Sequence, residues 1–275
     1  MEKGERQVIR QILLTGASGR VAGMLRPLLC ARYEKLILTD RIQPESLENN
    51  EEFRAADLAD AQSVLDVCRG VDSIIHLGGQ SNEADWETVK QINIDGMYNL
   101  LDAAHRNDVD RFVFASTNHV VGMVERSKTV GIDARVRPDS RYGVSKVFGE
   151  ALASFYADKY AMRVLSIRIG HVNWQPSDMR QLSIWVHPED LMQLIAIGLE
   201  SDAVRNEVVY GVSDNARSFW DNAEATRLGY LPQHTAEDHL EAILALESKR
   251  GHRDSVSERF QGGDFAAAEY TDPKD

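Results

Sequence analysis

The strongest constraint on this chain lies near its start. Gln11-Ile12-Leu13-Leu14-Thr15 is a short apolar run that predicts a buried strand. It enters Gly16-Ala17-Ser18-Gly19-Arg20-Val21-Ala22-Gly23, and a helical pattern follows over residues 24–31. A strand that turns on glycines into a helix lets main-chain N–H groups approach a pyrophosphate at the helix N-terminus. The spacing is G-x-x-G-x-x-A, with Gly23 one place later. The next apolar run, Lys35-Leu36-Ile37-Leu38-Thr39-Asp40, ends in a carboxylate. An acid about 20 residues beyond such a loop is placed to bind adenosine ribose hydroxyls and to repel a 2′-phosphate. NAD is therefore expected over NADP, although Arg41 partly offsets the repulsion, and a strand-end turn is the plainer role for Asp40.

Further runs repeat the strand–helix alternation. Phe53-Arg54-Ala55-Ala56-Asp57-Leu58 reads as a third strand, with a helix over residues 61–69. Asp60 is the better cap for that helix, while Asp57 either caps it or reaches an adenine. Val71-Asp72-Ser73-Ile74-Ile75-His76-Leu77 reads as a fourth strand ending in Gly78-Gly79, where a ligand can approach closely. His76 sits within the apolar run and reads as a satisfied core histidine. A long helix is expected over residues 86–106, and its Asn93 either braces the site backbone or faces solvent. Arg111-Phe112-Val113-Phe114-Ala115 predicts a fifth strand delivering Ser116-Thr117-Asn118-His119. A sixth strand is expected in Arg163-Val164-Leu165-Ser166-Ile167-Arg168-Ile169, and one more in Glu207-Val208-Val209-Tyr210. The expected fold is α/β: a Rossmann-type doubly wound parallel sheet over residues 8–170, then a small substrate lobe over 171–275 with segments returning to the sheet. Residues 174–180 read as a loop, with helices over 188–199, 220–228 and 236–249. Trp174, Trp185 and Trp220 are expected in the core more than on a ligand. The polar tail from about residue 251 wraps a neighbouring subunit or frays.

Charge and cysteine content narrow the classes. The net charge of −12 argues against sequence-independent binding to nucleic acid or anionic membrane, which need basic patches. No apolar run nears the roughly 18–20 residues of a membrane span. Residues 1–11 are charged and lack the apolar centre of a signal peptide. Cys30 and Cys68, the only cysteines, are unclustered, which suggests reduced thiols in a cytoplasmic chain. No metal site is expected.

The chemistry gathers around Tyr142-Gly143-Val144-Ser145-Lys146. The helical pattern over residues 147–160 puts Tyr142 and Lys146 on one helix face. A phenol has an ordinary pKa of about 10, and a neighbouring ammonium lowers it toward a useful general base for an alcohol. Alone, Y-x-x-x-K is common on exposed helices. The hydroxyls and amide of Ser116, Thr117 and Asn118 can orient a substrate oxygen, although a polar strand-end loop looks the same.

Together these pieces resemble the extended short-chain dehydrogenase/reductases. The resemblance rests on Thr15-Gly16-Ala17-Ser18-Gly19, Asp40, Asp57-Leu58, His76-Leu77-Gly78-Gly79, Asn93, residues 114–119 and Tyr142 with Lys146. Within that family the chain looks most like the uronate dehydrogenases. Ser81, Arg168-Ile169-Gly170, Arg180 ahead of Ser183-Ile184-Trp185, residues 209–215, Phe219-Trp220-Asp221-Asn222 and Arg259-Phe260-Gln261-Gly262-Gly263 carry this match. The resemblance implies oxidation of a hexuronic acid such as galacturonate or glucuronate at C1 by NAD, giving an aldaric acid lactone. It implies Tyr142 as proton acceptor, Lys146 as its partner on the nicotinamide ribose, and Thr117 in place of the family serine. Cofactor contacts would come from Gly16, Ser18, Gly19, Arg20, Val21, Asp40, Asp57, Leu58, Leu77, Gly78, Gly79, Asn93, Lys146 and Ile169. Ser81, Thr117, Asn118, His119 and His171 would line the sugar site. Arg180 would bind the substrate carboxylate, a task suited to a guanidinium fork. His171 stands where the family has a serine; it could donate to a carboxylate, shrink the pocket or admit a phosphate, and a related branch oxidises glucose 6-phosphate. Epimerases and dehydratases share the fold, and a sensor that lost catalysis would be expected to lose Tyr142 or Lys146. A homo-oligomer is implied by the resemblance alone.

Overall fold

A computed structural model describes residues 9–248 and 254–272. The expected ends of the chain, including residues 1–8 of the charged opening, Lys249 of the expected last helix and 251–253 and 273–275 of the tail, lie outside the described residues.

Seven parallel strands form one sheet in the order β3-β2-β1-β4-β5-β6-β9. They are β1 (Gln11–Thr15), β2 (Lys35–Thr39), β3 (Glu51–Phe53), β4 (Ser73–His76), β5 (Arg111–Thr117), β6 (Arg163–Ile169) and β9 (Asn206–Gly211). The order reverses between β1 and β4, so a crevice opens there at the carboxyl ends of the strands. Alternate residues of each strand feed opposite faces. Ile12 and Leu14 join Leu36, Leu38, Ile75 and Leu165 under α1 (Arg20–Arg32) and α7 (Pro188–Glu200). Leu13, Ile37, Ile74 and Phe112 join the other face, under α2 (Ala61–Val67), α4 (Gly96–Arg106) and α5 (Arg141–Tyr160). Runs apolar on both faces are what a doubly covered parallel sheet requires.

The third strand is displaced from its expected place. Glu51–Phe53 pairs with β2, while residues 54–57 lie outside any strand and Leu58 is already in a turn. Arg54 N and Ala56 N still donate to Leu38 O and Asp40 O before Asp57 Oδ1 accepts from Ala59 N and turns the chain. The strand begins on two acids at the sheet edge, a place where no apolar run marks it. Asp60 caps α2, accepting from Gln62 N at 3.0 Å. The expected long helix is continuous from residue 86 to 106 but changes pitch: α3 (Trp86–Val89) passes through a π-helical stretch, Lys90–Asp95, into α4. The fifth strand runs two residues further than expected and so carries Ser116 and Thr117 within the sheet.

Beyond β6 a two-stranded parallel sheet pairs β7 (His171–Val172) with β8 (Trp185–Val186), the latter following α6 (Gln181–Ile184). Sequence alone did not suggest this pair. Trp185 and Trp220 are core residues, whereas Trp174 is half exposed, against expectation. α8 (Ala223–Arg227) and α9 (Leu240–Glu247) follow, and α9 is entered through a 3-10 turn, Ala236–His239. A final strap carrying α10 (Ser255–Arg259) and α11 (Asp264–Ala267) returns across the carboxyl end of the sheet. Gln261 N donates to Val124 O and Gly262 N to Gly122 O, both at 2.8 Å.

Candidate active site

One cavity of about 690 Å³ runs along the carboxyl ends of β1, β2, β4, β5 and β6. Its first half is made mostly by turns. Gly16 has φ +69, and a Cβ there would lie 2.7 Å from Gly78 Cα, so the two glycine turns pack backbone to backbone. Gly19 begins α1 with no side-chain cap, and Arg20, Val21 and Ala22 of the first turn line the cavity. Amides so placed at a helix N-terminus form an anion site. Asp40 lines the far end; its carboxylate accepts from Ser18 N and Arg41 N. Asp57, Leu58, Leu77, Gly78, Gly79 and Ile169 complete this half.

Beneath it, Thr15 Oγ1 lies 2.7 Å from His76 Nδ1 and accepts from Gly78 N at 3.1 Å. Burial, with the charge of Lys146, pushes His76 down to about 3, so it is the neutral core histidine expected from the sequence.

Two residues expected at the cofactor do not line the cavity. Ser18 turns its hydroxyl to Ile42 O. Asn93 stands behind the wall on the π-helical stretch, where it bonds both Gln80 N and Gln80 O and donates to Ser145 Oγ at 2.9 Å. It is the backbone brace that its polarity suggested.

The second half holds Ser81, Thr117, Asn118, His119, Tyr142, Lys146, His171 and Phe265. Helix α5 is aimed by its start. Ser140 Oγ accepts from Gly143 N, and Glu83 accepts from Arg141 N and Tyr142 N. Glu83 was not singled out by sequence reading. The Tyr142 phenol hydrogen-bonds the Thr117 side chain. Lys146 Nζ donates to Ala115 O at 2.8 Å and lies 5.8 Å from the Tyr142 ring centroid. Ser116 faces away and donates to Glu150, which also grips Arg168 with both oxygens.

The expected lowering of the tyrosine pKa is not found. Burial pushes the phenol up to about 12, with the Thr117 bond pulling against it. Lys146 is itself buried and pushed down to about 8. Desolvation of both groups outweighs an ammonium turned toward a carbonyl.

Arg180 is also displaced from its expected place on the cavity wall. It lies behind the strap, Nε donating to Gln261 O at 2.9 Å, with Gly263 against the guanidinium. Its Nη2 is buried and has no hydrogen-bond partner among the described residues; Asn118 Nδ2 is in the same state. Burial pushes Arg180 down to about 10. The strap intervenes because its glycines allow chain to pass where side chains could not. Burial, with the charge of Arg20, lowers His171, and Arg180 adds to this.

Phe265 was seen in the sequence only as an apolar residue in a polar tail. It stacks on His119 with centroids 4.2 Å apart. Outside the cavity, His187, Glu189 and His234 bring possible metal-ligand atoms within 4.8 Å of one another. His187 Nδ1 already caps α7 through Glu189 N, and its ring stacks on His234 at 3.5 Å, so the in-plane lone pairs run side by side instead of converging. No helix among the described residues is long and apolar enough to cross a membrane.

A nucleotide-sized cleft at the reversal of a parallel sheet, with a tyrosine and lysine at its far end, defines the class. The chain belongs to the NAD dependent epimerase/dehydratase family, whose pattern matches residues 12–173. More narrowly, it is 41% identical to a uronate dehydrogenase of Pseudomonas putida, over 94% of this chain and 96% of that protein. The glucuronic acid dehydrogenase of Chromohalobacter salexigens superposes with a TM-score of 0.90 at 40% identity, covering 94% of this chain and 97% of the other. A variant uronate dehydrogenase of Agrobacterium tumefaciens, solved with NAD, superposes at 0.89 and 37% identity over 94% and 97%.

Proposed function

We propose that this protein is an NAD-dependent dehydrogenase that oxidises C1 of a hexuronic acid, galacturonate or glucuronate, to the aldaric acid lactone. The observation that carries this reading is the Thr117–Tyr142 hydroxyl pair at one end of a cavity whose other end is Asp40. The uncapped first turn of α1 fits a pyrophosphate and Asp40 fits ribose hydroxyls, so Gly16, Gly19, Arg20, Val21 and Asp40 would hold NAD, with Asp57, Leu58, Leu77, Gly78, Gly79 and Ile169 along it. Lys146 would bind the nicotinamide ribose. NAD, when bound, would supply the acceptor for the C1 hydrogen and a positive charge on its nicotinamide.

Tyr142 takes the proton of the C1 hydroxyl, and Thr117 holds that oxygen through its own hydroxyl. Ser81, Asn118, His119 and His171 surround the sugar. Asn118 Nδ2, a buried donor on the cavity wall with no acceptor among the described residues, supports an oxygen-rich substrate at this end. Residues from 171 onward form the lobe over the sugar, with β9 returned to the main sheet. A cytoplasmic homo-oligomer fits the family and the free thiols of Cys30 and Cys68.

The test is NADH formation with galacturonate, glucuronate, glucose 6-phosphate and glucose, each with NAD and NADP. Fast uronate oxidation with NAD is expected. Activity on glucose 6-phosphate alone would reassign the pocket around His171. Turnover without net NADH would move the protein to the epimerases.

A further inference from the structure

His119 is gripped from three sides. Its Nδ1 lies 2.7 Å from Asp139 Oδ2, its ring stacks on Phe265, and its edge meets Tyr142 with centroids 5.9 Å apart. The Asp139 side chain has no exposure to solvent. Its Oδ1 accepts from Ser140 Oγ at 2.8 Å. Its Oδ2 is wedged between two glycines, Gly122 and Gly262, and a Cβ at either position would overlap it. Gly262 belongs to the strap and is tied to Gly122 O. The carboxylate is thus enclosed by chain arriving from more than a hundred residues away, and its one imidazole partner is a wall residue of the cavity.

A carboxylate offers only acceptors. At 2.7 Å the facing Nδ1 must carry a proton, since two lone pairs would repel. A ring whose single proton is held on Nδ1 is bare at Nε2, its one other polar atom. We propose that Asp139 is a positioning residue: it holds the proton on His119 Nδ1, so that Nε2 accepts a hydrogen bond from a sugar hydroxyl, and the strap locks this state through Gly262 and Phe265. The sugar part of this inference rests on the function proposed above; the proton's location on His119 does not.

The test is a double-mutant cycle with an NMR arm. Asp139→Asn keeps the shape but can turn an N–H toward Nδ1, which moves the ring proton to Nε2. It should lower kcat/KM for galacturonate about 5- to 100-fold, the cost of leaving a buried hydroxyl without its acceptor. NAD affinity and the thermal midpoint should not change. In a His119→Gln background the same substitution should cost less than about 2-fold, because its effect passes through the ring. An equal cost in both backgrounds would overturn the proposal, since that is how a merely structural role behaves. Imidazole ¹⁵N NMR of the unmutated protein needs neither substrate nor variant. Protonated Nδ1 with bare Nε2 on His119 is expected, and a ring protonated at Nε2, neutral or cationic, refutes the assignment. Protonated Nδ1 in a protein that oxidises no uronate would retain the Asp139 role and sink the substrate reading alone.

Discussion

The two halves of the cavity are built in opposite ways. The nucleotide half is mostly main chain: glycine turns after β1 and β4 and an uncapped helix start, most of it within the first 79 residues. The sugar half is mostly side chains collected from Ser81, the end of β5, α5, β7 and the strap. Backbone turns bind what every dinucleotide shares. Side chains brought from distant segments choose one sugar among many, and they depend on every element that delivers them.

Substitutions should separate these halves. The largest effect is expected from Tyr142→Phe, which removes a general base worth roughly 10²–10⁴-fold in rate. NAD titration of the same variant should match the parent, and near-normal turnover would remove Tyr142 from the chemistry. Next comes Arg180→Ala. If the strap lets the guanidinium reach a substrate carboxylate, KM for galacturonate should rise about 10- to 100-fold, as for a lost charged hydrogen bond. Galactose kinetics should barely move; equal changes for both sugars would show that Arg180 only supports the strap. On the nucleotide side, Asp40→Ala should raise KM for NAD about 10-fold and narrow the preference over NADP. An unchanged NAD/NADP ratio would leave Asp40 as a turn residue.

The remaining effect, on stability and not on turnover, is one of pH on the nucleotide half. His76 titrates at about 3 in the fold against 6.5 for the free side chain. Between those values the unfolded chain binds a proton that the native state refuses, so stability is complete above pH 6.5 and falls as pH drops toward 3. The slope is about 1.4 kcal/mol per pH unit for one proton. Urea denaturation across that window measures it, and His76→Gln should flatten the curve by one proton.

The same contrast explains what could be read in advance. The β1 turn, Asp40, the core role of His76 and the bracing by Asn93 follow from local pattern, because glycine, strand end and apolar run are contiguous signals. The third strand was misplaced because its first residues are Glu51 and Glu52, which carry no apolar mark. The π-helical stretch leaves no period distinct from a helix over six residues. Asp139, Phe265 and the buried place of Arg180 depend on where the strap crosses, and nothing within a short window encodes that crossing. The tyrosine pKa was misjudged for a related reason: spacing shows the neighbouring lysine, while burial comes from the whole fold.

The route of the strap also sets an order of events during synthesis. All six strands from β1 to β6 precede residue 170, so the nucleotide half is made before the strap. The wall that carries Gly262 and Phe265 is made about ninety residues after β6. Chains cut short before that point would keep every residue of the nucleotide half named above and lack the strap that packs on His119 and Asp139. A quality check on this protein is therefore best read from turnover, because cofactor retention registers a job only partly done.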